Sequence, residues 1–505
     1  MVWRSLSFAL MLPFAAGATA GAAPDLPSPD ALRALVAAAS GARPVSYEER
    51  LRFTTSGAAG TETLLRAGDD FREIDDSGPL HRERGRYHGQ DWHQNANGQT
   101  VLEQPDPGNG KRDDIVTTVA RVTKPIDAFA LRALNQVGSG TVTYIDPATD
   151  RVVREDRIEP AQTTVFAFDD FRSVDGYTTA WHWTRSDCHP ENDGDYRVTS
   201  ITPRSVAPNE VAIADPRRRL VEFPAGKTSV DLPVHMVGNN FIVRVTIAGR
   251  GFDFLLDTGT PNIQLDESVA RGLGLTPLRS MSSSDFGGRV TEAAIVIPQA
   301  QVGDLRMHDI VALTIPRFPG GEAGTRIVGI LGFDFVAELL LRLDYERERA
   351  TAFDPAGTQL PALAGATTLS IRLRDQLPLT DVTVNGALGE RFSVETGSDG
   401  ALVVGSYFAR HFSKAIVDLG AGVGYSTGMV DPGGFIPMQP FQVADLRIGT
   451  RRVRSFFALL MTGRVQPEEG NDGSIGNAIL RDFTVWLDYP DSQIVLVPNR
   501  RARER

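Results

Sequence analysis

The chain has 505 residues, of which 41% are hydrophobic and 23% charged, and a formal net charge of -11. Its length exceeds what one hydrophobic core usually serves, so roughly two to four domains are expected. The acidic balance excludes a phosphate-reading surface, and no nucleic-acid partner is expected; the single strongly basic run, NRRARER at residues 499–505, reads as a solvated tail.

Residues 1–23 carry one arginine, Arg4, then an apolar run from Leu6 to Ala16 and a string of small residues. This is the pattern of a secretory signal peptide, with small-x-small sites ending at Ala20 and Ala23. A periplasmic or secreted protein is therefore expected. No later apolar run is long enough to span a bilayer, so no transmembrane segment is expected. Cys188 is the only cysteine, which rules out an intramolecular disulfide; a buried thiol is expected there.

Residues 24–215 are expected to form an N-terminal domain. From about Arg43 to Pro203, segments such as RLRFTT, TETLLR, DFREID, TTVFAFDDF and YRVTSITP alternate with turn signals. Period-two alternation at this spacing predicts an antiparallel β-meander. DPATD and NANGQ supply turn chemistry, and PIDAFALRALNQVG, with Pro125 near its start and Gly138 at its end, predicts a helix. YHGQDWHQNANGQ followed by that helix and the late VDGYTTAWHW resemble the half-barrel of bacterial lipoprotein-carrier proteins. The resemblance implies a concave apolar face, and with it a lipid or acylated ligand as a possible partner. His182, Cys188 and His189 lie close in WHWTRSDCH, but lack a fourth metal ligand. Strand packing of Trp181 and Trp183 is the expected role of that stretch, and no metal site is expected.

Beyond the Pro/Gly-rich boundary at 214–233 the sequence repeats itself. The first copy, expected at 225–356, contains FDFLLDTGTPNIQL, QVGDLRMHDIVALTI, VGILGFDFV and LRLDYERERATAF; the second, expected at 366–499, contains ERFSVETGSDGALV, QVADLRIGTRRVRSFFALL, DGSIGNAIL and VWLDYPDSQIVLV. Asp257 maps onto Glu395, Asp304 onto Asp445, Gly332 onto Gly476 and Asp344 onto Asp488.

The paired D-T-G-T and E-T-G-S segments resemble the retropepsin-like aspartic peptidases, over about residues 230–497. The resemblance implies a mainly β architecture: an N-terminal antiparallel β half-barrel with a helix, then two duplicated acid-protease β lobes. It also implies a peptide or protein substrate, no cofactor and a monomer. Two carboxylates about 3 Å apart cannot both ionise cheaply, so such a pair keeps one proton and can activate a water while protonating a carbonyl. Asp257 and Glu395 are the candidate pair. Thr258, Gly259 and Thr260 in the first loop, and Thr396, Gly397 and Ser398 in the second, are the supporting residues. The resemblance implies that Thr258 bonds across to the opposite loop, that Thr260 holds the outer carboxylate oxygen and that Gly332 and Gly476 permit close strand packing. Phe286, Gly287 and Gly288 lie where the family has a flap hairpin.

The family pattern has aspartate where this chain has Glu395. One extra methylene moves a carboxylate by roughly 1 Å, and a shift of that size can cost on the order of a hundredfold in rate. Two functions therefore stand side by side: peptide-bond hydrolysis by an Asp/Glu dyad, and a protease-like cleft that binds an extended peptide or a lipid without cleaving it. GYSTG at 424–428 matches the G-x-S-x-G pattern around Ser426, yet MVDPGGF follows and cannot start the helix that a nucleophile elbow needs. GAGVG at 420–424 fails as a dinucleotide loop for the same reason.

Overall fold

The computed structural model describes residues 26–504 apart from 56, 105–113, 136–137, 160–161, 286–287, 317–325, 418–426, 432–433 and 463–470. It opens with the helix Pro29–Ser40, a segment without strand alternation, whose Ser28 hydroxyl accepts the Ala31 N–H at 3.2 Å. Gly41 ends the helix at φ 71°, a left-handed value that favours glycine.

Thirteen strands then form one antiparallel sheet. Its first strand, Ser46–Thr55, pairs with its last, Gly194–Pro203, in the middle, and the intervening chain meanders out to both edges. The segment expected to be a helix is instead the strand Ala128–Leu134, hydrogen-bonded to Val116–Val122 on one side and Gly140–Ile145 on the other. Its apolar residues fit a helix as well as a strand by count. Burial settles the matter, since Ala128 and Ala130 are fully buried with Phe129 between them on the other face. Cys188 is exposed rather than buried, because it sits at φ 65° in the turn leading to the short helix Pro190–Asn192. Trp183 packs as expected, stacked on Tyr196 at 5.4 Å.

Each copy of the repeat contributes its own sheet and half of a shared one. In the first, Arg250–Leu256 runs parallel to Ile327–Leu331; in the second, Ala387–Val394 runs parallel to Gly473–Ile475. The shared sheet has six strands, three from each copy, and is joined at its centre by Leu340–Asp344 against Phe483–Asp488. There Arg342 pairs with Trp486, its own counterpart in the repeat, so a local two-fold axis passes through that pair. One continuous apolar core, with Leu343, Val485 and Leu487 fully buried, runs through both copies.

The N-terminal sheet is fastened to the first copy by amide side chains. Asn97 donates to the Val311 carbonyl and accepts the Val311 N–H, both at 2.9 Å, as a neighbouring strand would. Asn95 donates to Asp334 Oδ1 at 2.9 Å, and Gln99 donates to the Asp334 carbonyl at 2.7 Å. Asn192 takes both backbone groups of Ser282, at 2.7 and 2.8 Å. Because Asn97 is 2% exposed, Asn97→Ala strands a buried N–H and C=O and should cost about 1–3 kcal/mol. Urea unfolding checks this, and faster limited proteolysis between the sheet and the first copy should accompany it.

Candidate active site

Two parallel strand pairs end at the two candidate loops. Asp257 N–H donates to the Leu331 carbonyl at 3.0 Å, and Glu395 N–H to the Ile475 carbonyl at 2.9 Å, so each loop hangs from the strand beside it. Gly332 and Gly476 follow those strands. A Cβ at Gly332 would lie 2.3 Å from the Thr260 carbonyl oxygen, and one at Gly476 would lie 2.4 Å from that of Gly400, so neither position has room for a side chain.

The loops face each other across the local axis and are tied by a reciprocal set of bonds. Thr258 N–H donates to Thr396 Oγ1 and Thr396 N–H to Thr258 Oγ1, each at 3.1 Å. Each hydroxyl passes its proton to the far strand: Thr258 Oγ1 to the Val394 carbonyl at 2.5 Å, Thr396 Oγ1 to the Leu256 carbonyl at 3.0 Å. Both threonines are fully buried. Asn477, also fully buried, donates to the Thr396 carbonyl at 2.7 Å and braces the second loop from behind.

Asp257 lies at the seam. Its Oδ1 accepts the N–H of Gly259 at 2.8 Å and of Gly397, from the opposite loop, at 3.1 Å; Oδ2 accepts the Thr260 hydroxyl at 2.8 Å. A Cβ at Gly397 would sit 2.3 Å from Asp257 Cγ, and one at Gly259 would sit 2.8 Å from Glu395 Cγ and 3.2 Å from Asp257 Oδ1. The two glycines thus make one small space that holds both carboxyl groups. Burial raises the Asp257 pKa, while its three donors oppose that rise. Glu395 is pushed up to about 7 by burial and by the charge of Asp257, and hydrogen bonds from Ser393 and Ser474 pull it partly back.

Ser393, Ser474 and Asn477 escaped the sequence reading. Ser393 donates to Glu395 Oε1 at 2.7 Å and receives the amide of Asn471 at 3.2 Å. Ser393 and Ser474 are register partners, and the same rung in the first copy is the apolar pair Leu255 and Ile330. The longer carboxylate therefore comes with two hydroxyls where the aspartate side has hydrocarbon. That substitution of polar for apolar at matched positions of the repeat was the signal available in the sequence.

Other predicted residues are placed as follows. Gly288 opens the strand Gly288–Val302, which pairs with Arg279–Asp285 in a hairpin; Phe286 and Gly287 at its tip lie outside the described residues. Ser398 passes its carbonyl to Asn477 N–H at 2.7 Å. GAGVG and the first three residues of GYSTG, Ser426 included, also lie outside the described residues, and Thr427–Asp431 is a strand. His182 lies between Asp169 and Asp195, at 2.6 and 2.9 Å. Among the described residues no cluster of His, Cys, Asp or Glu has the arrangement of a metal site, and no helix is long and apolar enough to cross a membrane.

No curated protein matches the chain. Among solved structures it is similar to an aspartic proteinase from Irpex lacteus, with 13% identity over 54% of this chain and 98% of that one at a TM-score of 0.34. It is also similar to Basic 7S globulin from soybean, with 12% identity over 55% of this chain and 96% of that one at a TM-score of 0.32. A LolA superfamily protein from Nitrosomonas europaea is similar with 8% identity, covering 36% of this chain and 97% of that one at a TM-score of 0.28. Residues 243–335, which carry Asp257 and its loop, match the family model described as aspartyl protease.

Proposed function

We propose that the chain is an exported aspartic endopeptidase, acting as a monomer on peptide or protein substrates in the periplasm or outside the cell. The observation that carries this reading is the shared space between Gly259 and Gly397, where Asp257 and Glu395 meet across reciprocally bonded loops. Asp257, with three donors, is the carboxylate that keeps its charge. Glu395, raised to about 7, keeps the proton. A water between them gives a proton to Asp257 as its oxygen attacks the scissile carbonyl carbon, and Glu395 protonates the carbonyl oxygen. The tetrahedral diol then collapses: the C–N bond breaks, the leaving nitrogen takes the proton held by Asp257, and a diol proton returns to Glu395. No covalent intermediate and no cofactor enters.

Removing either carboxylate should lower kcat by about 10²–10⁴-fold, so Asp257→Asn and Glu395→Gln are both expected to lose turnover of a diverse peptide pool. Full activity in Asp257→Asn would end the proposal. Glu395→Asp should also lose activity rather than gain it, because the shorter side chain withdraws from Ser393 and Ser474.

The one-proton state exists between the two macroscopic pKa values of the dyad, giving a bell-shaped profile whose alkaline limb falls near pH 7. A hydrogen bond to the charged form lowers a carboxyl pKa, so Ser393→Ala should move that limb to higher pH; a pH series of kcat/KM checks the direction.

The same raised pKa has a stability cost. The folded state holds a proton on Glu395 that the unfolded chain releases near 4.5, so stability present below pH 4.5 is lost as pH rises through about 7. Glu395→Gln should remove that loss, and denaturant unfolding at pH 5 and pH 8 should show the variant gaining on the parent only at the higher pH.

A further inference from the structure

A cavity of about 830 Å³ lies where the N-terminal sheet meets both copies of the repeat. One side of it is Pro261 and Asn262, the residues directly after Thr260 of the candidate catalytic loop. Another is Met281 and Glu292, which are cross-strand partners in the hairpin 279–302. The N-terminal sheet closes it with Glu73 and Asp75, and the second copy reaches in with Asp375 and Gln376. The cavity therefore reaches the end of the loop that carries Asp257, while neither candidate carboxylate lines it.

Its chemistry is uneven. Glu73 is taken up by Arg84, at 2.7 and 2.8 Å. Asp75 Oδ1 is buried without a hydrogen-bond partner, and so is Gln376 Oε1. Gln376 is 9% exposed, and its amide nitrogen lies 3.1 Å from His93 Nε2, while His93 Nδ1 lies 2.7 Å from Glu103. Beside Asp75 in the sheet, its register partner Glu62 is pushed up to about 8 by burial and by Glu73, and burial raises Asp75 as well. Arg279 and Arg82 act on Asp75 and Arg84 on Glu62, but burial outweighs them. On this face, where the half-barrel resemblance implied an apolar lining for an acyl chain, charged groups share the rungs with leucines: Leu51, Glu62, Asp75 and Arg82, then Leu64, Glu73 and Arg84.

We infer that this cavity is a substrate subsite for a basic side chain, arginine or lysine, whose apolar stem lies along Met281 and Leu313 and whose cationic head is met by Asp75 and Gln376. The N-terminal sheet then supplies part of the specificity of the cleft, an inference that rests on the peptidase reading for its position beside the scissile bond but not for the binding itself.

The test separates the two. A fluorescein-labelled decapeptide of alanine and leucine with one central arginine, and the same peptide with citrulline in its place, are titrated into full-length Asp257→Asn protein. Arginine should bind about tenfold or more tightly, the scale of a hydrogen-bonded charge, and Asp75→Asn and Gln376→Ala should each reduce that preference toward unity. Equal binding of the two peptides, or a preference that neither substitution moves, overturns the inference. Cleavage of a peptide pool by the parent protein is scored in parallel. Cuts clustered at a fixed distance from basic residues support the subsite, and cuts indifferent to them overturn it. Absence of cleavage together with Asp75-dependent arginine binding would remove the peptidase reading and leave the basic-ligand site standing.

Discussion

The arrangement hangs on four hydrogen bonds made by two threonines. Thr258 and Thr396 each give an N–H to the other's hydroxyl and send their own hydroxyl proton to the strand behind the other. Every donor and acceptor in this set is spent, in a place water does not reach, and an unpaired member would cost on the order of 1–3 kcal/mol. The bonds cross the local two-fold axis that also passes through Arg342 and Trp486, so the loops are located by the same symmetry that joins the two cores. The carboxyl groups are then oriented by their own donors: Gly259, Thr260 and Gly397 on Asp257, and Ser393 on Glu395. They are carried to the seam by loops that have nowhere else to go.

Within that frame the two halves have diverged where it matters chemically. The first keeps a short carboxylate fed by backbone N–H groups and one hydroxyl; the second has a long one fed by two serine hydroxyls, with Asn471 behind them. Burial raises both carboxyl pKa values, and the charge of Asp257 raises that of Glu395 further. The glutamate is therefore matched to its surroundings rather than misplaced in an aspartate's socket.

Much of this was legible in the residues. The in-register recurrence of D-T-G-T and E-T-G-S, with an apolar-Gly turn after each, carried the two-copy architecture, and the meander of the N-terminal region followed from alternation alone. What failed did so for tertiary reasons. Ala128–Leu134 has an apolar spacing that suits either period, and only pairing on both flanks decides it. Cys188 follows the frequency with which thiols are buried until a left-handed turn puts it outside. NANGQ reads as a turn and is one, but the sequence has no means of saying that Asn95, Asn97 and Gln99 close on residues more than 200 positions away. Ser393 and Ser474 become visible only when the two copies are aligned rung by rung.

Asn192 holds Ser282 by both backbone groups, on the outgoing strand of the hairpin where the family resemblance places a flap, while Arg289 on the returning strand reaches Gln162 at 2.9 Å and Asp187 at 3.3 Å. A hairpin anchored in this way is not free to lift along its whole length. Either it bends between these anchor points and its tip, or it drags the thirteen-stranded sheet with it. Movement of this hairpin is in that sense shared property: how far it can swing depends on how firmly the first two hundred residues sit as much as on its own strand pairing.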